Sequence, residues 1–161
     1  MSDHTNGEPC ALTRRAFFFR AGEAASLAAL GSMLQACSGS PTSPSSAAPA
    51  LPTINGTSAS GVVSVTIDPA SPLGTVGGAA LVQASNASFL VSRTAQSSFT
   101  ALTAICTHEG CTITGFQSPR YVCPCHGSQY STTGGVLNGP ATQALRQFTT
   151  QFANNVLTIN T

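Results

Sequence analysis

Two short segments of this chain each place a cysteine and a histidine at the spacing of metal ligands. The first reads CTHEGC over residues 106–111, and the second reads CPCHGS over residues 123–128. Two thiolates with two imidazoles suit either a tetrahedral zinc ion or an iron–sulfur cluster in which histidines replace two cysteines on one iron. The four candidate ligands are Cys106, His108, Cys123 and His126.

The mixed ligand set determines what an iron–sulfur cluster would do here. Two ferric ions, two sulfides and two thiolates sum to a neutral oxidised cluster, whereas four thiolates would leave it doubly negative. A neutral cluster accepts an electron more readily, so its potential rises to about −150 to +300 mV. This ligand set therefore predicts a one-electron carrier.

Composition excludes several other functions. Charged residues make up 7% of the chain, with 6 Lys+Arg against 5 Asp+Glu, so there is no basic patch for nucleic acid. The third histidine, His4, lies far from the two segments, and the carboxylates after residue 60 are Asp68 and Glu109. An independent hydrolase would lack a general base.

The N-terminal region, residues 1–36, resembles a twin-arginine export signal. Arg14 and Arg15 precede three phenylalanines, and a weakly apolar stretch follows over residues 21–36. That stretch is shorter than the ~20 residues of a spanning helix. An uncleaved membrane anchor and an amphipathic surface helix are the alternatives. Twin-arginine export of folded proteins would suit a chain that receives its cluster in the cytoplasm.

The sequence from Leu34 to Cys37 resembles a bacterial lipobox, which predicts acylation of Cys37. Several acyl chains on one residue give stable membrane attachment; the alternative is a buried or unpaired thiol. Residues 37–60 would then form a lipid-anchored linker rich in Ser, Pro and Ala. As a flexible coil it would span roughly 25 Å.

Residues 61–161 show the pattern of an all-β domain. Short β-branched runs such as Val62–Ile67 alternate with Gly, Pro and Asn turn signals. Residues 144–159 read as a closing hairpin, and no helix is expected after Ala36. The spacing predicts an antiparallel sandwich or small barrel, with both ligand segments on loops at strand ends.

Both segments resemble the Rieske iron–sulfur family, cytochrome bc type, whose boxes are Cys-Thr-His-x-Gly-Cys and Cys-Pro-Cys-His-Gly-Ser. The resemblance implies a Rieske-like sandwich or small barrel with a two-loop cluster-binding subdomain. It implies one [2Fe–2S] cluster, with Cys106 and Cys123 on one iron and His108 and His126 on the other. It also implies a disulfide between Cys111 and Cys125, which suits an oxidising compartment.

The resemblance implies tuning roles for two further residues. Ser128 would donate a hydrogen bond to a bridging sulfide, and Tyr130 would donate to the sulfur of Cys106. Donors to sulfur raise the potential. The alternatives are a turn hydroxyl and a half-buried strand aromatic. The sequence Gly139–Ala141 matches the family's Pro loop, which covers the cluster.

Glu109 departs from the family pattern. Quinol-oxidising members usually carry Leu at this position, which packs on cytochrome b. A carboxylate is costly to bury against an apolar surface, and it would favour the oxidised cluster and so lower the potential.

These observations lead to three hypotheses for function. The first is one-electron transfer on the extracytoplasmic face, with quinol and cytochrome b or cytochrome c as partners, as the iron–sulfur subunit of a quinol–cytochrome c reductase-like complex. The second is the small subunit of an exported oxidase, whose large subunit would be the partner. The third is a zinc-stabilised binding module, which leaves Cys111, Cys125, Ser128 and Tyr130 unexplained.

Overall fold

The computed structural model describes residues 48–85 and 87–161. The twin-arginine signal and the acylation of Cys37, both predicted above, concern residues outside these ranges. Within the described ranges, no helix is long and apolar enough to cross a membrane.

The described chain is built from strands and contains no helix, as the sequence predicts. Each strand is short, and Gly, Asn and Pro turns separate many of them. The strands are β1 (Thr53–Asn55), β2 (Thr57–Ala59), β3 (Val62–Thr66), β4 (Ala79–Ala84), β5 (Ala87–Ala95), β6 (Ser98–Thr103), β7 (Gly115–Gln117), β8 (Arg120–Val122), β9 (Gln129–Ser131), β10 (Val136–Asn138), β11 (Gln147–Ala153) and β12 (Val156–Asn160).

Eight strands form a large sheet in the order β1-β4-β5-β6-β11-β12-β3-β2. All pairings are antiparallel except β1 with β4. The two edge strands, β1 and β2, are separated in sequence by Gly56 alone, so the edges meet and the sheet wraps into a nearly closed barrel. A Cβ at Gly56 would lie 2.7 Å from Val63 Cγ1, so this closure requires glycine.

Alternating burial along the strands fills the inside of this barrel. In β3 and β12, every second residue is buried and its neighbours are partly exposed, the period expected of a strand with one core face. Phe89 and Phe99 pack among these aliphatic residues, with Phe148 against Phe89 at a 5.0 Å centroid distance. This core supports the large sheet independently of the ligand segments.

The remaining four strands form a small sheet in the order β10-β9-β8-β7. A second core cluster contains Leu90 and Leu102 of the large sheet together with Tyr121 and Tyr130 of the small one, and it also includes Cys106 and Cys123. The candidate ligand cysteines therefore belong to the packing that joins the two sheets.

The segment before β1 binds to the small sheet. The backbone N–H of Leu51 donates to Thr114 O at 2.7 Å, and the N–H of Phe116 donates to Pro49 O at 2.8 Å. Residues 49–59 were expected to belong to the linker, but the structure places them in the folded domain. The folded part thus begins about ten residues earlier than the expected boundary at Gly61.

Candidate functional site

The two ligand segments form two loops at one end of the small sheet. The first loop, residues 105–112, joins β6 to β7, and an Ile105–Thr112 bridge closes its base. The second loop, residues 123–128, joins β8 to β9. Pairing of Val122 in β8 with Gln129 in β9 closes the base of this loop. Strand pairing therefore fixes the ends of both loops.

The backbones of the two loops share one hydrogen-bond pattern. In each, the N–H of the first cysteine donates to the carbonyl five residues later: Cys106 to Cys111 and Cys123 to Ser128, both at 2.8 Å. The N–H of the glycine four residues after each cysteine donates back to that cysteine's carbonyl, at 2.9 Å from Gly110 in the first loop and 3.0 Å from Gly127 in the second.

The shared turn requires glycine at its fifth position, counted from Cys106 in the first loop and from Cys123 in the second. Gly110 has φ 73° and Gly127 has φ 74°, a left-handed conformation that costs side-chain-bearing residues roughly 1–2 kcal/mol. No atom lies within 4 Å of a Cβ built at either position. The requirement is therefore one of backbone conformation and not of space.

A disulfide between Cys111 and Cys125 joins the two loops, as the resemblance implied. The bonded sulfurs and the sulfur of Cys123 all lie within 4.8 Å of one another. Because the disulfide uses two of these three sulfurs, only Cys123 among them remains to bind a metal. The bond holds the loops together beside the ligand cysteine.

Cys106 and Cys123 are free and buried. Burial would raise the pKa of the Cys106 thiol, but hydrogen bonds from Tyr130, the His108 backbone, Cys123 and Ser128 outweigh it and hold that pKa below its usual value. Burial raises the pKa of Cys123, and its neighbour Cys106 raises it further. A thiol whose pKa is lowered loses its proton more readily, and the thiolate is the form that binds a metal ion.

His108 and His126 stand at the tips of the loops, with ring centroids 5.0 Å apart and ring planes at 88°. Their side chains are 28% and 48% exposed. Nδ1 of His108 is buried and has no hydrogen-bond partner in the described part of the chain. A buried nitrogen without a partner is costly, and a metal ion bound there would remove the cost.

The residues present therefore fit a cluster with mixed ligands. Two buried sulfurs can hold one iron, and two partly exposed imidazoles can hold a second one nearer the surface. The disulfide and the shared backbone hydrogen bonds fix the two loops that carry these four side chains. The ligand roles of Cys106, His108, Cys123 and His126 remain predictions.

Tyr130 is fully buried, and its hydroxyl lies 3.2 Å from Cys106 Sγ. The backbone N–H of Thr107 donates to the Tyr130 oxygen at 3.2 Å, and the Thr107 hydroxyl donates to Gln143 O at 2.7 Å. The Tyr130 hydroxyl also lies 3.0 Å from Thr107 Oγ1. Because the Thr107 proton is donated to Gln143 O, the Tyr130 proton has two acceptors within reach, Thr107 Oγ1 and Cys106 Sγ. The contact between Tyr130 and Cys106 is present, and donation to the sulfur stays a prediction.

Ser128 is also fully buried. Its oxygen accepts a hydrogen bond from the Ala141 N–H at 3.0 Å, so the hydroxyl proton remains available to the ligand site. This contact joins the second loop to residues 139–141, the segment matched above to the Pro loop. A donor role for Ser128 toward a cluster sulfide is compatible with this geometry and stays a prediction.

Glu109 links the two histidines at the surface. One carboxylate oxygen lies 4.0 Å from His108 Nε2, and the other lies 3.7 Å from His126 Nδ1. The Glu109 side chain is 61% exposed. One nitrogen of each ring thus lies near the carboxylate, and the other nitrogen of His108 is the buried Nδ1 that has no partner among the described residues.

The sequence did not identify three residues that complete the site. Thr107 and Gln143 position the hydroxyl of Tyr130, but a Thr within a ligand box and a Gln in a loop carry no distinct signal. Tyr121 lies directly opposite Tyr130 in the small sheet. Its buried hydroxyl has no hydrogen-bond partner in acceptable geometry among the described residues. Burial raises its pKa, and the nearby Ser92 hydroxyl, which pairs with Thr100, lowers it less than burial raises it.

Comparison with known proteins adds evidence that is independent of this geometry. A family model described as the Rieske [2Fe-2S] domain matches residues 65–149, more than half of the chain. The cytochrome b6-f complex iron-sulfur subunit of Chlorobaculum thiosulfatiphilum is 36% identical over 62 residues, which cover 38% of this chain and 34% of that protein. The cytochrome b6-f complex iron-sulfur subunit 2 from the cyanelle of Cyanophora paradoxa is 53% identical over 45 residues, which cover 27% of this chain and 19% of that protein.

The chain therefore spans about a third or less of the length of these curated relatives.

Among solved structures, the plasma membrane Rieske protein PetC3 from Synechocystis PCC 6803 has a TM-score of 0.47 and 29% identity, covering 52% of this chain and 86% of that chain. The ferredoxin of carbazole 1,9a-dioxygenase from Nocardioides aromaticivorans IC177 has a TM-score of 0.47 and 16% identity, and the match covers 60% of this chain and 95% of that chain.

Proposed function

Because this chain belongs to the Rieske [2Fe-2S] domain family, we propose that it carries one electron at a time on a cluster held by four named ligands. The cluster supplies one-electron chemistry at a raised potential when bound. The proposed ligands are Cys106, His108, Cys123 and His126.

The observation that supports this proposal is that each of two matched loops carries one free buried cysteine and one partly exposed histidine. The two imidazole rings lie with their centroids 5.0 Å apart. The Cys111–Cys125 disulfide joins the loops at this point. Fixed loops limit how far the ligands move when one electron is gained or lost, which favours rapid transfer.

Two hydroxyl groups would set the potential of the site. The Tyr130 hydroxyl lies 3.2 Å from Cys106 Sγ and would donate to it, and Ser128 retains a proton while its oxygen accepts from Ala141. A donor to a cluster sulfur stabilises the reduced, more negative state. Both residues are fully buried, so water does not weaken these hydrogen bonds by competition.

The proposed place of action is the extracytoplasmic face of a membrane. The disulfide between the loops suits an oxidising compartment. A twin-arginine signal over residues 1–36 and an acylated Cys37 would deliver the folded domain there and attach it by lipid. Redox partners of this kind of carrier include quinol with cytochrome b, cytochrome c, or the large subunit of an exported oxidase.

A site for structural zinc is the alternative that the donor set alone allows. The contact between Tyr130 and Cys106 and the retained proton of Ser128 favour iron and sulfide, because a structural zinc site has no potential to tune. A zinc-bound protein would be colourless and could not accept an electron from dithionite.

The decisive experiment is an EPR spectrum of the dithionite-reduced protein, with iron, sulfide and zinc measured on the same sample. We expect a rhombic Rieske-type signal and equal amounts of iron and acid-labile sulfide, two of each per chain. A redox titration of the same sample then gives the midpoint potential. An EPR-silent protein that contains zinc would reject electron transfer as the function.

A further inference from the structure

The tip of the two loops carries a carboxylate at the point where electrons would enter and leave. The oxygens of Glu109 lie 4.0 Å and 3.7 Å from ring nitrogens of His108 and His126, and 61% of its side chain is exposed. Any partner that approaches the exposed imidazole edges therefore also meets Glu109.

The described part of the chain offers Glu109 no arginine partner. Arg93 packs over Phe99 and Phe152 and donates to backbone carbonyls. Arg146 packs over Phe148, and Arg120 donates to the Gln129 side chain. Among the described residues, the titratable groups near Glu109 are the rings of His108 and His126, at 4.0 Å and 3.7 Å.

The shared turn gives Glu109 and His126 equivalent positions in the two loops. Glu109 is the fourth residue of its loop, counted from Cys106, and His126 is the fourth residue of the other, counted from Cys123. Because both loops have the same backbone hydrogen bonds, these two positions are equivalent. Glu109 thus stands at a place that, in the second loop, is held by a proposed ligand.

We propose that Glu109 makes this tip a docking site for a redox protein that presents a lysine or arginine next to its own redox centre. This inference rests on the proposed function. Burying an unpaired carboxylate against an apolar surface costs several kcal/mol, whereas an arginine or lysine would form a charge-assisted hydrogen bond with it. The electrostatics select a cationic surface over an apolar pocket that receives a quinol.

Electron transfer at this tip would change no covalent bond. A bound cluster would supply the one electron that the acceptor gains, so the electrons balance. Glu109 takes no part in the redox change. Its contribution is to raise the local concentration of cationic partners in the orientation that brings their redox centre to His108 and His126.

Two small one-electron oxidants of opposite charge test the proposal. The reduced holoprotein is mixed in a stopped-flow instrument with tris(phenanthroline)cobalt(III), a cation, or with ferricyanide, an anion, at low ionic strength. The ratio of the cation rate to the anion rate is corrected for the midpoint potential of each variant. We expect Glu109→Gln to lower this ratio about fivefold, and added salt to remove most of the difference.

Matched variants separate a local effect from net charge. Asp68→Asn removes the same charge from the loop after β3, and it should leave the ratio unchanged. Glu109→Asp keeps the charge and should retain most of the wild-type ratio. An equal change in Glu109→Gln and Asp68→Asn, or no change in either, would overturn the proposal.

An EPR spectrum of every variant keeps the two conclusions distinct. If the rhombic signal is present and Glu109→Gln leaves the rate ratio unchanged, the docking proposal fails, while the proposed electron-transfer function is retained. If the wild-type protein shows no such signal, the proposed function fails and the docking proposal fails with it.

Discussion

The first and second ligand loops share one backbone and differ in what their side chains do. Both start at a buried free cysteine, both make the same pair of backbone hydrogen bonds, and both turn at a glycine with φ near +73°. The side chains at the third, fourth and sixth positions are His108, Glu109 and Cys111 in the first loop, and Cys125, His126 and Ser128 in the second.

This comparison shows that the turn supplies positions and the sequence assigns their roles. Each loop contributes one proposed imidazole ligand and one disulfide cysteine, but the two occur in different places. The first loop then has Glu109 left over at the surface, and the second has Ser128 left over in the interior. Docking and tuning thus use positions that ligand binding leaves free.

Replacement of a proposed histidine ligand should have the largest effect of the variants that compare the two loops. We expect His126→Ala to abolish the cluster, because one iron loses a ligand, while Glu109→Ala at the equivalent position keeps it. Visible absorbance, iron content and the EPR signal of the reduced protein measure this. A native spectrum in His126→Ala or His108→Ala would contradict the ligand assignment.

Opening the disulfide should have the next largest effect. The bridged cysteines are separated by 14 residues, and closing a loop of that length stabilises a protein by about 3 kcal/mol. We expect Cys111→Ser to lower the free energy of unfolding by about this amount and to speed loss of the cluster. Ser128→Ala, at the equivalent position of the second loop, should keep the disulfide. Equal stability of wild type and Cys111→Ser would show that the bond does not hold the loops.

The two opposed tyrosines provide a matched pair for the potential. Tyr130→Phe removes the donor to Cys106 Sγ, and loss of ~1.4 kcal/mol of hydrogen bonding to the reduced state lowers a one-electron potential by about 60 mV. Tyr121→Phe removes an equally buried hydroxyl that has no partner, and should leave the potential unchanged. Protein-film voltammetry measures both; equal midpoints for wild type and Tyr130→Phe would remove the tuning role.

The glycines should give the smallest effect and the sharpest test of equivalence. Gly110→Ala and Gly127→Ala each force a Cβ into a left-handed backbone with free space around it. We expect each to destabilise the protein by about 1 kcal/mol, and by the same amount. Denaturant unfolding of the two variants measures the difference. Clearly unequal losses would mean that the two turns are not alike.

Residue types made the site predictable from sequence, and short strands made parts of the fold unpredictable. Cysteines and histidines at ligand spacing marked both loops, and β-branched runs marked β3 and β12. By contrast, β1, β2 and β7 have three residues each, which is too short to show alternation. The first two also lie in a segment whose Ser, Thr and Ala content resembles a linker. Pairing with β4, β3 and β8 holds these strands in place, and three residues are too few to show a pattern that predicts such pairing.

The packing of Tyr121 and Thr107 illustrates the second limit. Their roles depend on strand register and on which backbone carbonyl a hydroxyl can reach, and neither is written in the local sequence. The matched glycines, by contrast, could have been found, since each follows its first cysteine by four residues. The export signal, the lipid anchor and the roles of the ligands remain predictions.

The hydrogen bonds of Pro49 and Leu51 have a consequence for the edge of the small sheet. β7 is the last strand of that sheet, and an uncovered edge strand offers its backbone groups to other chains. Residues 49–51 run antiparallel along β7 and take up two of these backbone groups, at Phe116 and Thr114. The segment before β1 thus protects the sheet that carries both ligand loops from edge-to-edge association.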